Sequence, residues 1–236
     1  MTDHYRRWSD ADAVRTFAEK KVTDFFQSEQ NLLESVLPDV RSVLDVGCAS
    51  GRYVDLLLSL RPALALTLDF QGIDITAENV RNARALYPQF EFHTANALEY
   101  EPGRRFDLVN ATGVCQHEPR FEELIRRMVS WSDKYVLFDV KFAAVDEHVI
   151  DITRSFAGST SNRLYFVLLN YSRFVAFLQD LPDVAAVRVF GYETPVNPRV
   201  TVPDGVVPVV SAGILLTKGR ATDRVVLESD VPSTVR

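Results

Sequence analysis

Asp45 and the small residues behind it form the stretch of this chain best suited to chemistry. Asp45 lies in a short apolar run, and Gly47, Cys48, Ala49 and Gly51 follow it. Glycine permits a tight turn and lets a ligand approach the backbone with no side chain between them. A carboxylate beside such a turn repels a pyrophosphate, whereas it attracts an ammonium or sulfonium cation. The stretch therefore predicts a binding loop for a positively charged ligand.

Asp74 is the second candidate, because it ends the next apolar segment of the chain. An acid at the end of the second strand of a nucleotide-binding sheet commonly accepts hydrogen bonds from the ribose hydroxyls. Asp69 is the alternative acid in the same segment. A structural alternative also remains, in which Asp74 or Thr76 only caps the helix that follows.

His117 is the third candidate, in the segment that follows the predicted fourth strand. Asn110 to His117 should face a ligand bound at the carboxyl ends of the strands. An imidazole there suits a general base for a hydroxyl or an amine. The alternative is a histidine that caps or braces the loop.

The elements that must position these residues follow from periodicity and from breaker residues. A strand, a small-residue turn and a helix around residues 41–60 form the opening unit of a nucleotide-binding α/β sheet. Gly47, Ala49 and Gly51 give G-x-A-x-G, which is not the dinucleotide pattern G-x-G-x-x-G. Strands are predicted at 41–46, 64–74, 90–94, 106–110, 134–140, 184–192 and 206–217, and helices within 9–37 (one or two) and at 52–60, 76–86, 121–131 and 170–180.

With these motifs the chain resembles the class I S-adenosylmethionine-dependent methyltransferases. The stretch VLDVGCASG (residues 43–51) is similar to their first motif, residues 72–76 to their second, and residues 106–119 to their fourth and the segment after it. The resemblance implies a doubly wound α/β fold with a seven-stranded, mostly parallel sheet and a C-terminal antiparallel hairpin. It also implies S-adenosylmethionine as the cofactor and in-line methyl transfer to oxygen, nitrogen or carbon of a small-molecule acceptor.

The resemblance further implies site residues. In the family, an acid at the position of Asn96 accepts from the adenine amino group, and Asn96 keeps an acceptor oxygen without the charge. Asp139, at the end of the fifth strand, could hold substrate or a metal, and no second metal ligand accompanies it at suitable spacing. The expected cofactor contacts are Asp45, Gly47, Cys48, Ala49, Gly51, Asp74, Ile75, Asn96, Ala97 and Ala111; the expected substrate contacts are Thr112, Cys115, Asp139 and Tyr165, with His117 as the possible base and no metal.

The domain organisation is predicted to be simple. Residues 1–220 should form one domain, in which residues 1–38 form a helical layer or a lid over the cofactor cleft. Residues 143–170 are irregular and match the place where the family inserts substrate-specific material. Residues 221–236 show little pattern and are expected to be an extension or disordered.

Composition narrows the function classes. The chain has 236 residues, a formal net charge of −6 and no basic run, which disfavours nucleic acid as a partner. No apolar run reaches the roughly 18 residues of a membrane span, so a cytoplasmic protein is expected. Cys48 and Cys115 follow strands expected to be neighbours, and two buried thiols are favoured over a disulfide. The oligomeric state stays open, a homodimer included.

Two alternatives to a methyltransferase remain. A nicotinamide-dependent oxidoreductase needs a loop that accepts a pyrophosphate, and Asp45 argues against it. A non-catalytic scaffold with the methyltransferase fold is the other alternative. Ala49 and Asn96 motivate it, because they replace the glycine and the acid that the family usually carries.

Overall fold

The computed structural model describes residues 3–19, 21, 27–219 and 225–236. Residues 20 and 22–26 of the predicted helical region 9–37 lie outside the described residues, as does the predicted boundary at residue 220. Within the described part, no helix is both long and apolar enough to cross a membrane.

An eight-stranded sheet forms the centre of the molecule, in the order β11-β8-β10-β5-β4-β1-β2-β3. The pairs from β3 to β5 are parallel, and β10 runs antiparallel to both β5 and β8. The strands are β1 Ser42–Val46, β2 Asp69–Asp74, β3 Glu91–Thr94, β4 Phe106–Ala111, β5 Ser132–Phe142, β6 Phe156–Ser159, β7 Asn162–Tyr165, β8 Val184–Thr194, β9 Val200–Thr201, β10 Val209–Lys218 and β11 Val226–Asp230.

Helices connect β1 to β2, β2 to β3 and β4 to β5, and the hydrophobic core is divided into two large clusters. One contains Leu44, Phe106 and Phe174, and the other contains Val43, Leu57 and Phe92. Successive residues of β1 thus enter different clusters, as expected for a strand buried on both faces. The helices are α1 Ala11–Ala18, α2 Gln27–Glu34, α3 Tyr53–Leu60, α4 Ala77–Leu86, α5 Phe121–Trp131 and α6 Tyr171–Gln179.

The chain order reverses at β1, which pairs with β2 on one side and with β4 on the other. In this register Asp45 lies between Gly72 and Asn110. Ligands of open α/β sheets bind beyond the carboxyl ends of the strands at such a reversal. The fold therefore brings Asp45, Asp74 and Asn110 to the edge where a ligand is expected.

The predicted doubly wound fold and C-terminal hairpin are confirmed, and three details are corrected. The second strand begins at Asp69 and not at residue 64, because Pro62–Leu66 form a 3₁₀ turn. Residues 156–165 form a hairpin, which pairs with β9 in a separate three-stranded sheet.

The sheet also has eight strands where seven were expected, because the C-terminal residues do not lack structure. β11 pairs in parallel with β8. The Tyr171 hydroxyl donates to Ser229 Oγ at 2.7 Å, and Val231 and Val235 join the larger core cluster. The segment was missed because its alternation is short and its first two strand residues, Val226 and Leu227, are both exposed.

We predict that Val231→Ala lowers the free energy of unfolding by about 2 kcal/mol, since it removes buried methyl groups and leaves a cavity. Val231 is 6% exposed. The matched control is Val226→Ala in the same segment, where the side chain is 56% exposed and the change should stay within about 0.5 kcal/mol. Urea denaturation measures both. Equal values for the two variants would show that the C-terminal segment does not pack on the sheet.

Candidate active site

A cavity opens at the carboxyl ends of β1, β2 and β4, where the strand order reverses. Ten of the fifteen predicted site residues line it: Asp45, Gly47, Cys48, Ala49, Asp74, Ile75, Asn96, Ala97, Thr112 and His117. The other five, Gly51, Ala111, Cys115, Asp139 and Tyr165, do not line it.

The turn after β1 is fixed by one carbonyl oxygen. Ile73 O accepts from Gly47 N at 2.8 Å and from Cys48 N at 3.0 Å. Gly47 has a φ of +72°, and a Cβ at this position would lie 2.5 Å from Val114 Cγ2. Only glycine satisfies both conditions, so the turn and the loop after β4 are in close contact here.

Ala49 occupies the left-handed region as well, with a φ of +46°. An L-residue with a Cβ pays about 1–2 kcal/mol there. The Ala49 N–H donates to Asp74 Oδ2 at 2.9 Å, which holds the turn against the end of β2. Alanine at this position therefore adopts the left-handed conformation that the turn requires, and this lowers the free energy of unfolding relative to glycine.

Asp74 is the acid that the geometry favours over Asp69. It is 8% exposed, lines the cavity, and its Oδ1 accepts from Thr76 N at 2.7 Å. Burial raises the pKa of this carboxyl, and the N–H donors of Thr76 and Ala49 oppose the rise. Asp69 lies at the opposite end of β2 and pairs with Arg104 on the surface.

Asp45 ends β1 as a second buried carboxylate, 3% exposed. Its Oδ1 accepts from Asn110 Nδ2 at 2.7 Å, and Asn110 Oδ1 accepts from the Thr112 hydroxyl at 2.6 Å. This chain of hydrogen bonds fixes the carboxylate on the cavity wall. A third acid, Glu29 of α2, is 1% exposed and lines the same cavity. The cavity wall is consequently rich in negative charge.

Asn96 lines the cavity, but its side chain also braces its own turn. Oδ1 accepts from Leu98 N at 3.1 Å, and Nδ2 donates to Glu99 at 3.1 Å. Ile75, Leu98 and Leu124 add apolar surface to the wall. This part of the cavity therefore combines a flat apolar lining with a fixed amide.

His117 follows β4 in a 3₁₀ turn, Cys115–His117. Its Nδ1 lies 2.6 Å from the carbonyl oxygen of Tyr165, which assigns the ring proton to Nδ1 and the lone pair to Nε2. Burial lowers the pKa of His117 to about 4, so the ring is neutral at pH 7. Tyr165 thus acts through its backbone, and its side chain does not line the cavity.

The N-terminal segment forms another wall of the cavity through Tyr5, Trp8 and Phe17. The Tyr5 hydroxyl donates to Glu118 in the loop after β4, and the Trp8 ring lies 5.2 Å from that of His117. Arg52 donates to the Ala18 carbonyl, with Nη2 at 2.8 Å and Nε at 3.1 Å. Since Ala18 ends α1, these bonds attach the segment to the start of α3.

The two cysteines do not approach each other. Cys48 packs in one core cluster and Cys115 in the other, and both thiols are free and buried. Burial raises the pKa of each thiol, so both are protonated at neutral pH. Cys115 is 1% exposed, which leaves it packed behind the loop and not in contact with the cavity.

Gly51, Ala111 and Asp139 lie behind the cavity wall. A Cβ on Gly51 would come within 3.0–3.1 Å of the rings of Tyr87 and Phe92, so this glycine serves packing. Ala111 is fully buried. Asp139 accepts from Gly113 N at 2.6 Å and lies 3.3 Å from Lys141 Nζ. Among the residues that the structure describes, no three metal-ligating side chains form a cluster.

Several lining residues were not found from the sequence: Tyr5, Trp8, Glu29, Tyr53, Asn79 and Glu118. Glu29, Tyr53 and Asn79 lie on helices, where a polar residue ordinarily faces solvent. The one sequence signal that could have identified these three residues is a polar side chain on the otherwise apolar face of a helix.

A methyltransferase-domain family model matches residues 39–150 of the chain. The trans-aconitate 2-methyltransferase of Azoarcus sp. strain BH72 is 30% identical over 126 residues, which are 51% of this chain and 46% of that protein. The enzyme of the same name from Escherichia coli strain SE11 is 31% identical over 94 residues, 40% of this chain and 36% of that protein. The chain thus matches less than half the length of these curated relatives.

Solved structures show the same fold at low sequence identity. The N-terminal domain of EvdMO1 with S-adenosylhomocysteine bound gives a TM-score of 0.60 at 14% identity, covering 86% of this chain and 82% of that one. The magnesium protoporphyrin IX methyltransferase ChlM of Synechocystis PCC 6803 gives 0.58 at 14% identity, covering 93% and 98%. Both likenesses establish the architecture.

We predict that Ala49→Gly raises the free energy of unfolding by about 1 kcal/mol, because it relieves the left-handed conformation. Gly47→Ala should do the opposite, because its Cβ would meet Val114. Urea denaturation of both variants measures the two changes. A less stable Ala49→Gly variant would mean that residue 49 does not adopt a positive φ in solution.

Proposed function

We propose that this chain is a class I S-adenosylmethionine-dependent methyltransferase and that it transfers the methyl group of S-adenosylmethionine to an oxygen or nitrogen of a small-molecule acceptor. The observation that carries the proposal is the cavity at the strand-order reversal, with buried Asp45 and Asp74 on its wall. Binding of S-adenosylhomocysteine tests this proposal.

The residues present fit this cofactor. The carboxylates of Asp45 and Glu29 favour the positive charges of a sulfonium and an ammonium group. Asp74 retains acceptor capacity for ribose hydroxyls, because each of its oxygens accepts one backbone hydrogen bond and a carboxylate offers about four sites. Ile75, Leu98 and Leu124 supply an apolar surface suited to the adenine ring.

S-adenosylmethionine supplies an electrophilic methyl group on sulfur. The protein's part is to align an acceptor with that group and to exclude water. Thr112, Val114 and His117 lie on the wall formed by the loop after β4, and Trp8 lies on the wall formed by the N-terminal segment. We assign the acceptor to the space between these two walls.

We assign His117 the role of receiving the acceptor's proton. The Tyr165 carbonyl holds its Nδ1–H, and its Nε2 lies 3.4 Å from the amide nitrogen of Gln116. A hydroxyl or amine of the acceptor would replace that amide as the donor to Nε2. A base whose conjugate acid has a pKa of about 4 is weak toward a free hydroxyl. The acceptor becomes far more acidic as its new bond to carbon forms, so proton transfer follows or accompanies methyl transfer.

The N-terminal segment serves as the lid in this proposal. Tyr5, Trp8 and Phe17 cover the cavity, and Arg52 holds the end of α1 in place. The curated relatives are named for trans-aconitate, which makes that compound the first acceptor to assay. The same assay should include hydroxyl and amine compounds, because the structural neighbours include an N-methyltransferase.

We predict that the unmodified protein binds S-adenosylhomocysteine and that Asp74→Asn weakens this binding about 10- to 100-fold, because a charged acceptor of the ribose hydroxyls is lost. Isothermal titration calorimetry measures the dissociation constants. NADH should not compete, which separates this proposal from an oxidoreductase.

The matched control is Asp69→Asn, which changes an acid at the opposite end of the same strand and should leave the affinity unchanged. A wild-type protein that binds no S-adenosylhomocysteine would reduce the chain to a scaffold. Unchanged affinity in Asp74→Asn would remove Asp74 from the ribose site.

We predict that His117→Asn lowers turnover of a hydroxyl or amine acceptor about 100-fold and leaves the affinity for S-adenosylhomocysteine within about twofold. In the unmodified enzyme the base is active while it is neutral. Turnover should therefore hold at neutral pH and fall as the pH drops through about 4. Methyl transfer from radiolabelled cofactor gives both readouts. Turnover in the variant equal to that of the unmodified enzyme would show that His117 is not the base and only contacts Tyr165.

A further inference from the structure

A buried ion pair lies behind the wall of the cavity. Asp139 and Lys141 belong to β5 and are 1% and 6% exposed, and their charged atoms are 3.3 Å apart. Lys141 Nζ also donates to Ser211 Oγ at 3.0 Å. Neither charged residue lines the cavity, so neither can contact a ligand there. Burial removes both charged groups from water, and their mutual attraction often does no more than offset that desolvation, which makes a purely stabilising role a weak explanation.

The carboxylate of Asp139 connects this ion pair to the cavity wall through one backbone N–H group. Asp139 Oδ1 accepts from the N–H of Gly113 at 2.6 Å. Gly113 has a φ of +81° and lies on the wall between Thr112 and Val114. A hydrogen bond to a charged acceptor is about twice as strong as one between neutral groups. The pair therefore fixes the most irregular point of the loop after β4.

The loop in turn contacts the turn after β1. Val114 Cγ2 occupies the space that a Cβ of Gly47 would fill, and Val114 O accepts from His117 N at 2.9 Å. Displacement of Gly113 would thus move both a wall of the proposed cofactor site and the backbone of His117. The contacts form a continuous path from β5 to both ends of the cavity.

We infer that Asp139 and Lys141 are a positioning pair, which holds the Gly113 loop in the shape that receives the cofactor and the acceptor. The inference rests on the proposed function. Asp139 acts through the Gly113 N–H, and Lys141 supplies the opposite charge that offsets the burial of the Asp139 carboxylate. Ser211, itself 3.0 Å from Thr194 Oγ1, fixes the ammonium from the neighbouring strand β10.

The test compares two double variants, D139N/K141M and D139A/K141M. Neither leaves a buried charge without its partner, so the two differ mainly in whether residue 139 offers an acceptor to Gly113. Amide hydrogen exchange of Gly113, followed by NMR in the ligand-free protein, reports the contact itself. Calorimetry with S-adenosylhomocysteine reports its consequence for binding.

In D139N/K141M we expect Gly113 exchange and the dissociation constant to stay within about threefold of the unmodified protein. In D139A/K141M we expect exchange at Gly113 to be at least tenfold faster and the dissociation constant about tenfold higher. The amide of Leu137, inside β5, is the reference, because general loosening of the sheet would accelerate its exchange together with that of Gly113.

Equal Gly113 exchange in the two variants, or equal affinity despite different exchange, would overturn the inference. Parallel acceleration at Gly113 and Leu137 would also overturn it, because the pair would then only stabilise the sheet. An unmodified protein that binds no S-adenosylhomocysteine would contradict the proposed function instead, and the exchange measurement would still decide whether Asp139 holds Gly113.

Discussion

The carboxylate of Asp74 is the group on which the cavity depends. It accepts the N–H of Ala49 from the turn after β1 and the N–H of Thr76 at the start of α4. One side chain thus fixes two loops relative to each other before any ligand arrives. Burial disfavours its charge, and the donated hydrogen bonds restore part of that loss. A carboxylate prepared in this way can accept ribose hydroxyls without first reorganising the backbone.

The glycine turn and Asp74 could be predicted from the sequence because their signals are local. A strand followed by small residues, and an acid at the end of the next apolar run, depend on a few consecutive positions. The seven-stranded core of the sheet was predictable for the same reason. The eighth strand was not, because β11 is defined by its pairing with β8 and by the burial of Val231, which are long-range contacts.

The placement of Asp139 shows the limit of strand-end reasoning. The sequence predicts Asp139 at the end of the fifth strand, but β5 continues to Phe142, and the side chain meets Gly113 and Lys141 in place of a ligand. Tyr165 is similar, because it contributes its backbone carbonyl oxygen to the site, and every residue type has such an oxygen, so the sequence cannot reveal this role. Conversely, Trp8 and Glu29 line the cavity in the N-terminal region that was expected to form a helical layer or a lid, but the sequence singled out neither residue.

The wall formed by Tyr5, Trp8 and Phe17 lies outside residues 39–150, where the family model matches. The cavity is therefore built from two parts of the chain. The matched region contributes the glycine turn and Asp74, and the N-terminal segment contributes the wall formed by these three aromatic residues. A relative that differs only in that stretch keeps the glycine turn and Asp74 but presents a different wall to the remaining space. Similarity over the matched region is consequently a poor guide to the shape of that space.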